Sequence, residues 1–583
     1  MNLKTLKFIT ALSASLVLFG AHAADQYGVL AYHSVIDESA PADKKFYVPQ
    51  SISAQTLIHH FNWLKENGYN IISWQQVVDA EQGKAELPDK AVLLTFDDGY
   101  ESMYDTIYPL LKAYNYPAVF APVTSWVGAT TKTVPYGTNA KLARTAFTTW
   151  AKVREMRDSG LVEIASHTAA SHYGVIANPG GSQIPAVLAP RYQNGKYESK
   201  TQYAQRIQRD FATSVAEIKK HTGEKPRVMV WPYGQFNQVD VETAANNGMT
   251  HHFSLNGEKI NKVGDKHVGR LLLDQETEVS TISEYLHHSI HDEHIIQRVI
   301  NVRLDNIYAK DPIQQKNNID KLIQRIYDLG VNTVYLQAYS DTNHDGQAEG
   351  YYFPTSQGKL VADLFGQLSW QLRSRVDVSV YAWLPAVTND TDINHTKKLY
   401  NDLSFYAKFD GVIFSPVMSR HTESNYNYHK LALEEIKPYF QTGYYGLKIA
   451  QAIYLNLDGQ QTADFLQRIN ESIKHNNYTV LLIDPYAGNH ALSSDEAISR
   501  LKSVIETIKQ AKIPAKKVIF DFQLFNWNTD KSIPESELIS WIKLLEQNGF
   551  YSFGYYPDNF IKNQPDLKTI KPYVSVNTNP TRR

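Results

Sequence analysis

Short apolar runs alternate with amphipathic stretches along residues 25–278. The runs fall at 27–32, 70–74, 91–96, 118–123, 162–165, 228–231, 252–255 and 268–273. Between them, 56–67 carries Leu57, Phe61 and Leu64 at helical spacing, and 204–221 carries Ile207, Phe211, Val215 and Ile218. Strand, helix, strand is the pattern of a mainly parallel α/β sheet or barrel. A polar stretch at 276–297 interrupts it. The alternation then restarts with eight runs, at 298–304, 333–339, 376–384, 411–417, 448–455, 478–483, 517–525 and 550–556. Seven helix-like stretches separate these, at 313–329, 359–375, 394–408, 427–440, 461–475, 494–512 and 535–547. That is the count of a (β/α)8 barrel. The expected organisation is one α/β domain over 24–278, a linker over 279–297, and a (β/α)8 domain over 298–583.

In such folds reactive groups collect where strands end. Run 91–96 ends in Asp97-Asp98-Gly99-Tyr100, and run 162–165 ends in Ser166-His167-Thr168-Ala169-Ala170-Ser171-His172. Taken alone, Asp-Asp-Gly reads as a strand-end turn. One carboxylate with two imidazoles, however, makes a divalent-metal site with open positions, and leaves the second carboxylate free to act as a base. Zn, Ni, Co and Fe all accept such ligands. Two more strand ends carry Tyr32-His33 and Trp231-Pro232-Tyr233-Gly234. A lone His33 would read as structural; four such ends on one face point to a site. The insertions at 124–144 and 178–200 read as groove-shaping loops or as disordered surface.

The second domain's strand ends are acidic and aromatic: Asp305, Asp341, Asp345, Trp383, Asp484, Trp527, Tyr555, Tyr556 and Asp558. Rings stack on pyranose faces and carboxylates bond hydroxyls or amines, so a sugar-binding cleft is expected. The stretch 341–349 lacks the spacing of a calcium loop. His287, His288, His291 and His294 read as one solvated helix face, since no strand end accompanies them.

Composition adds an export signal and removes several alternatives. Lys4 and Lys7 precede an apolar segment at 8–20 and Ala21-His22-Ala23, a secretory signal with an expected mature start at Ala24. No later stretch is long enough to span a bilayer as a helix. Cys is 0, which excludes disulfides, thiolate chemistry and a lipid-modified cysteine. A net charge of -2 without a basic run gives no nucleic-acid surface. With 37 Tyr and 9 Trp the chain is rich in rings that suit sugars.

Thr95-Phe96-Asp97-Asp98-Gly99 and His167-Thr168 with His172 resemble the motifs of NodB-type polysaccharide deacetylases, carbohydrate esterase family 4. That family spaces its histidines i, i+4, whereas here they are i, i+5. This spacing, Tyr32-His33 and Trp231-Pro232-Tyr233-Gly234 are similar to one branch, the poly-β-1,6-N-acetyl-D-glucosamine N-deacetylases of biofilm export. The resemblance runs over nearly the whole mature chain. It implies a distorted (β/α) barrel of polysaccharide-deacetylase type followed by the C-terminal (β/α)8 barrel. It implies Asp97 as base, Asp98, His167 and His172 as ligands of one divalent ion, and His33 as the acid for the leaving amine. A backbone N–H near Tyr233 would face the oxyanion, with Trp231 and Tyr233 on the substrate. The β-1,6-linked polymer, a periplasmic location and an outer-membrane export porin are implied in the same way.

The same branch carries a glycoside-hydrolase barrel whose acid lies in a Phe-His-Asp-Asp segment. Here Phe409-Asp410-Gly411-Val412-Ile413-Phe414 runs into Ser415, Pro416 and Val417. Glycoside hydrolysis normally needs two carboxyl groups. The expectation is a barrel that binds polymer, through Asp305, Trp383, Asp484, Trp527, Tyr556 and Asp558, without cutting it. The alternatives are a peptidoglycan or chitin deacetylase, a bifunctional deacetylase and endoglycosidase using another carboxylate, and a non-catalytic polysaccharide adaptor.

Overall fold

The computed structural model describes residues 25–41, 45–257, 259–287, 296–343, 347–385, 390–414, 446–456, 463–484, 492–526 and 531–578. The signal segment, Asp345, His288, His291, His294, Ser415 to Val417, Trp527 and the predicted helix 427–440 lie outside them.

The first domain is an interrupted ring of short, mostly parallel strands. Ala91–Asp98 is its central strand and is buried along its whole length. It pairs in parallel with Gln26–Tyr32 on one side. On the other it pairs with Asn70–Ile72 over its first half and with Ala118–Pro122 over its second. Val162–Ile164 continues the sheet. A single bridge, Ser166 to Met229, links it to a second parallel sheet of Val228–Val230, His251–Phe253 and His267–Val268. The predicted run 268–273 divides between His267–Val268 and Leu271–Leu272, which lie in different sheets. The long helix Lys200–Thr222 opens with a capping box from Ser199 and Gln202 and ends at Gly223 in the left-handed conformation. Its Ile207 and Phe211 are buried against Trp231 and Met229.

The second domain is a closed eight-stranded barrel. Its strands are Arg298–Arg303, Thr333–Gln337, Ser379–Trp383, Gly411–Phe414, Lys448–Asn456, Tyr478–Asp484, Val518–Gln523 and Phe553–Tyr556. Each lies within one of the eight predicted runs or overlaps it closely. One large apolar core fills the barrel and the space under its helices.

One region departs from expectation, and the two insertions take the ordered one of their two readings. Val279–His287, expected as part of a solvated inter-domain helix, is helical but packs on the first domain. Ile282 and Tyr285 are fully buried, and the Tyr285 hydroxyl accepts from the Val29 amide at 2.9 Å. Its apolar i, i+3 spacing carries it onto the sheet. The stretch 178–200 is ordered. Gly174–Ile176 and Gln183–Pro185 form a hairpin, and Ala186 to Ala189 enter a core shared with the second domain. The insertion 124–144 is likewise ordered, with a hairpin of Thr133–Tyr136 and Ala140–Ala143.

That shared core holds the domains together. Phe405 is buried among first-domain residues, with Trp370 and Tyr406 packed at its edge. Tyr197 donates to the Asp363 carboxylate, and Lys200 pairs with Asp402 at 2.9 Å.

Candidate active site

Four strand ends bring the site together, that of Gln26–Tyr32 with His33 being the fourth. Asp97 and Asp98 close the central strand, His167 follows Val162–Ile164, and Tyr233 follows Val228–Val230. Three non-glycine residues here sit in the left-handed region: Asp98 at φ 76°, Thr168 at φ 72° and Tyr233 at φ 58°. A β-branched threonine there is a true outlier. Such conformations cost about 1–3 kcal/mol each and persist where the surroundings impose them, often at functional sites. Asp210, on the long helix, accepts from the amides of Ala169 and Ala170 at 3.0 and 2.8 Å and so pins the loop between the two histidines.

Asp98, His167 and His172 offer ligand atoms that all lie within 4.8 Å of one another. The Nε2 atoms of His167 and His172 approach the same oxygen, Asp98 Oδ1, at 3.4 and 3.3 Å. Asp98 Oδ1 is buried and has no hydrogen-bond partner. His167 Nδ1 lies 2.7 Å from the Val230 carbonyl. That contact puts the ring proton on Nδ1 and turns the Nε2 lone pair toward Asp98. A lone pair facing a carboxylate oxygen needs a proton or a cation between them. Ligands about 2.1 Å from a tetrahedral ion stand about 3.4 Å apart, so the spacing fits a metal ion. The chemistry fits as well: one carboxylate and two imidazoles suit a divalent transition metal.

The electrostatics separate the two aspartates. Asp97 is buried, and Arg270 grips it with two bonds, Nη1 to Oδ1 at 2.9 Å and Nη2 to Oδ2 at 2.8 Å. Burial alone would raise its carboxyl; the Arg270 guanidinium, helped by His167 and His33, holds it below the usual range. Burial also opposes ionisation of Asp98, and His172, His167 and His33 outweigh it. Burial pushes His172 down to about 4 against the pull of Asp98. For His167 the two aspartates overcome burial and raise it. His33, at the end of Gln26–Tyr32, thus lies within electrostatic reach of both aspartates, and its Nδ1 is buried without a partner. Tyr233 is 42% exposed and packs on His172 with centroids 4.6 Å apart, while Trp126 meets His172 at 5.1 Å.

Not every predicted site residue reaches a surface. Trp231 is fully buried, stacked on Phe236 and His252, and is a core residue. Trp383 is 3% exposed, between Tyr339 and Tyr556. Asp558 is buried in ion pairs with Arg325 and a bond from the Tyr555 hydroxyl. All three are covered by their neighbours in this structure, because the strand-end pattern does not tell which side chain turns inward. Asp305 lies at the barrel rim but is engaged by Ser340, Tyr352 and Arg303. Asp484 accepts from Tyr454 at 3.2 Å. Tyr556 borders a rim cleft of about 470 Å³. Sequence reading missed Arg270 and Asp210, which lie far along the chain from the residues they hold.

The polysaccharide deacetylase family model matches residues 84–252. The model for hypothetical glycosyl hydrolase family 13 matches 301–397 and 417–556. A poly-β-1,6-N-acetyl-D-glucosamine N-deacetylase of Escherichia coli strain K12 is 31% identical, over 94% of this chain and 91% of that protein. The chain belongs to this N-deacetylase family. A relative with the same description from Staphylococcus epidermidis is 21% identical over 40% of this chain and 72% of its own. Among solved structures, a de-N-acetylase from Aggregatibacter actinomycetemcomitans is 61% identical, covering 45% of this chain and all of that one, with a TM-score of 0.43. The family match spans both domains, so the deacetylase fold and the barrel occur together in it.

Proposed function

We propose that the chain is a metal-dependent enzyme that removes acetyl groups from poly-β-1,6-N-acetyl-D-glucosamine. The observation that carries this is the unpartnered Asp98 Oδ1 between two imidazole Nε2 atoms, beside an aspartate clamped by Arg270. Asp98, His167 and His172 would hold one divalent ion, Zn, Ni, Co or Fe, which when bound supplies Lewis-acid polarisation of the amide. Asp97 takes the proton of the attacking water; Arg270 occupies one lone pair on each oxygen and keeps the group ionised, leaving the others for the proton. His33 gives a proton to the departing nitrogen, so that C–N cleavage releases a neutral amine. The N–H of Tyr233, presented by its left-handed backbone, faces the developing oxyanion. Water and amide give acetate and a glucosamine unit.

The barrel binds the polymer and does not cut it, because Ser415, Pro416 and Val417 stand where the related barrels carry their acid. The product is partly deacetylated polymer for a biofilm, made in the periplasm and passed to an outer-membrane porin. Acetate release from β-1,6-linked N-acetylglucosamine oligomers against chitin oligomers tests the substrate. Faster release from the β-1,6 series is expected; equal or greater activity on chitin would remove the assignment.

A further inference from the structure

Tyr233 separates two spaces. On one side its ring packs on His172. On the other it lines a cleft of about 420 Å³. The far wall of that cleft comes from the barrel domain, as Trp370, Arg373 and Ser374 on the helix Phe365–Val376. The near wall includes Gln183, from the hairpin, and Gln235. The shared core at Phe405 sets these walls against each other. The cleft therefore adjoins the metal-ligand triad across Tyr233, and three of its ten lining residues belong to the domain without the triad.

Its chemistry is selective. Its volume is within the range of about 300–1,000 Å³ that holds small ligands. A partly exposed indole, two side-chain amides and a hydroxyl are the groups that take a pyranose face, ring hydroxyls and an acetamide. Among the described residues no carboxylate lines the cleft. Its charged group is Arg373, which also pairs with Asp410 at 3.0 Å from outside the lining. A glucosammonium unit would find no carboxylate in the lining to receive its charge; an N-acetylated unit is neutral and needs none.

We propose that this inter-domain cleft is a subsite for an uncharged, N-acetylated sugar of the same polymer, adjoining the sugar whose amide faces Asp97. The subsite rests on the functional reading above. It makes the barrel's outer helix a wall of the deacetylase groove, and it makes the enzyme prefer stretches of polymer that have not yet been deacetylated.

The test uses the full chain and its Trp370→Ala and Ser374→Glu variants. Acetate release is measured as kcat/KM on fully acetylated β-1,6 dimers and pentamers, and on pentamers carrying one glucosamine. Trp370→Ala should lower the pentamer-to-dimer ratio by about three- to tenfold, the size of one ring contact. Ser374→Glu, at an exposed position, adds the missing counter-charge and should narrow the preference for fully acetylated over partly deacetylated pentamers. If the wild-type chain is active and both variants keep its ratios, the subsite is wrong. If the wild-type chain releases no acetate from any β-1,6 oligomer, the functional reading fails first and the subsite with it.

Discussion

Acidic side chains gather at strand ends in both domains, and the two domains treat them differently. In the first, Asp98 Oδ1 is buried with two imidazoles facing it and no hydrogen bond. Asp98 itself, Thr168 and Tyr233 hold left-handed backbone that only the surrounding structure can impose. At the barrel rim, Asp305 receives bonds from Ser340, Tyr352 and the Asp341 amide. Asp558 is tied to Arg325 and Tyr555. A carboxylate whose valences are met holds a scaffold together; one left open in a strained setting waits for an ion or a substrate. Asp521 qualifies the contrast. It is fully buried in the barrel, one oxygen accepts from Asn301, the other has no partner, and burial pushes it up to about 7. It lies within a strand, away from the rim cleft.

The largest effect should come from the open valence itself. Asp98→Ala or His167→Ala should abolish ion binding and lower acetate release by roughly a thousandfold or more, the worth of several kcal/mol of Lewis-acid stabilisation. A variant that kept both ion and rate would dissolve the contrast. Asp97→Asn should separate the two aspartates: bound metal measured by elemental analysis stays, while kcat drops by about 10²–10⁴. Arg270→Leu leaves a buried carboxylate without its cation. It should cost about 3–5 kcal/mol of stability in denaturant titration. The same change should move the acid limb of the rate profile upward, because Asp97 then titrates at higher pH.

Smaller effects sharpen the comparison further. Burial, with neighbouring imidazoles, pushes His60 down to about 4 and His252 to about 3. Below about pH 6.5 the unfolded chain binds these protons and the folded chain does not, so stability falls as pH falls toward the folded values. Unfolding free energies from denaturant titration at pH 7 and pH 5 should differ by about 2–4 kcal/mol; no difference would mean that these rings are not buried neutral. The smallest effect is expected at the barrel. The full chain carrying Asp97→Asn should leave de-N-acetylated polymer at its original length, and any shortening would place an active carboxyl pair in the second domain.

Much of this was legible in the sequence because it rests on local pattern. Apolar runs marked the strands of both domains, and Asp97, Asp98, His167 and His172 stood out by type and spacing. What escaped was long-range or directional. Arg270 lies 173 residues from Asp97, and nothing around Val268-Gly269-Arg270 marks a partner. Trp231, Trp383 and Asp558 sat at promising strand ends, yet packing turned them inward. Trp370 and Arg373 read as one face of an ordinary barrel helix, and only domain docking made that face a cleft wall. A helix was legible around His287, but its polar and histidine-rich flank hid the face of Val279–His287 that Ile282 and Tyr285 bury.

The most direct test of the central claim is acetate release from β-1,6-linked oligomers by the full chain after chelation and add-back of a divalent metal. The account predicts that stripping abolishes release and that about one ion per chain restores it. Undiminished release from a chain shown to hold no metal would contradict it.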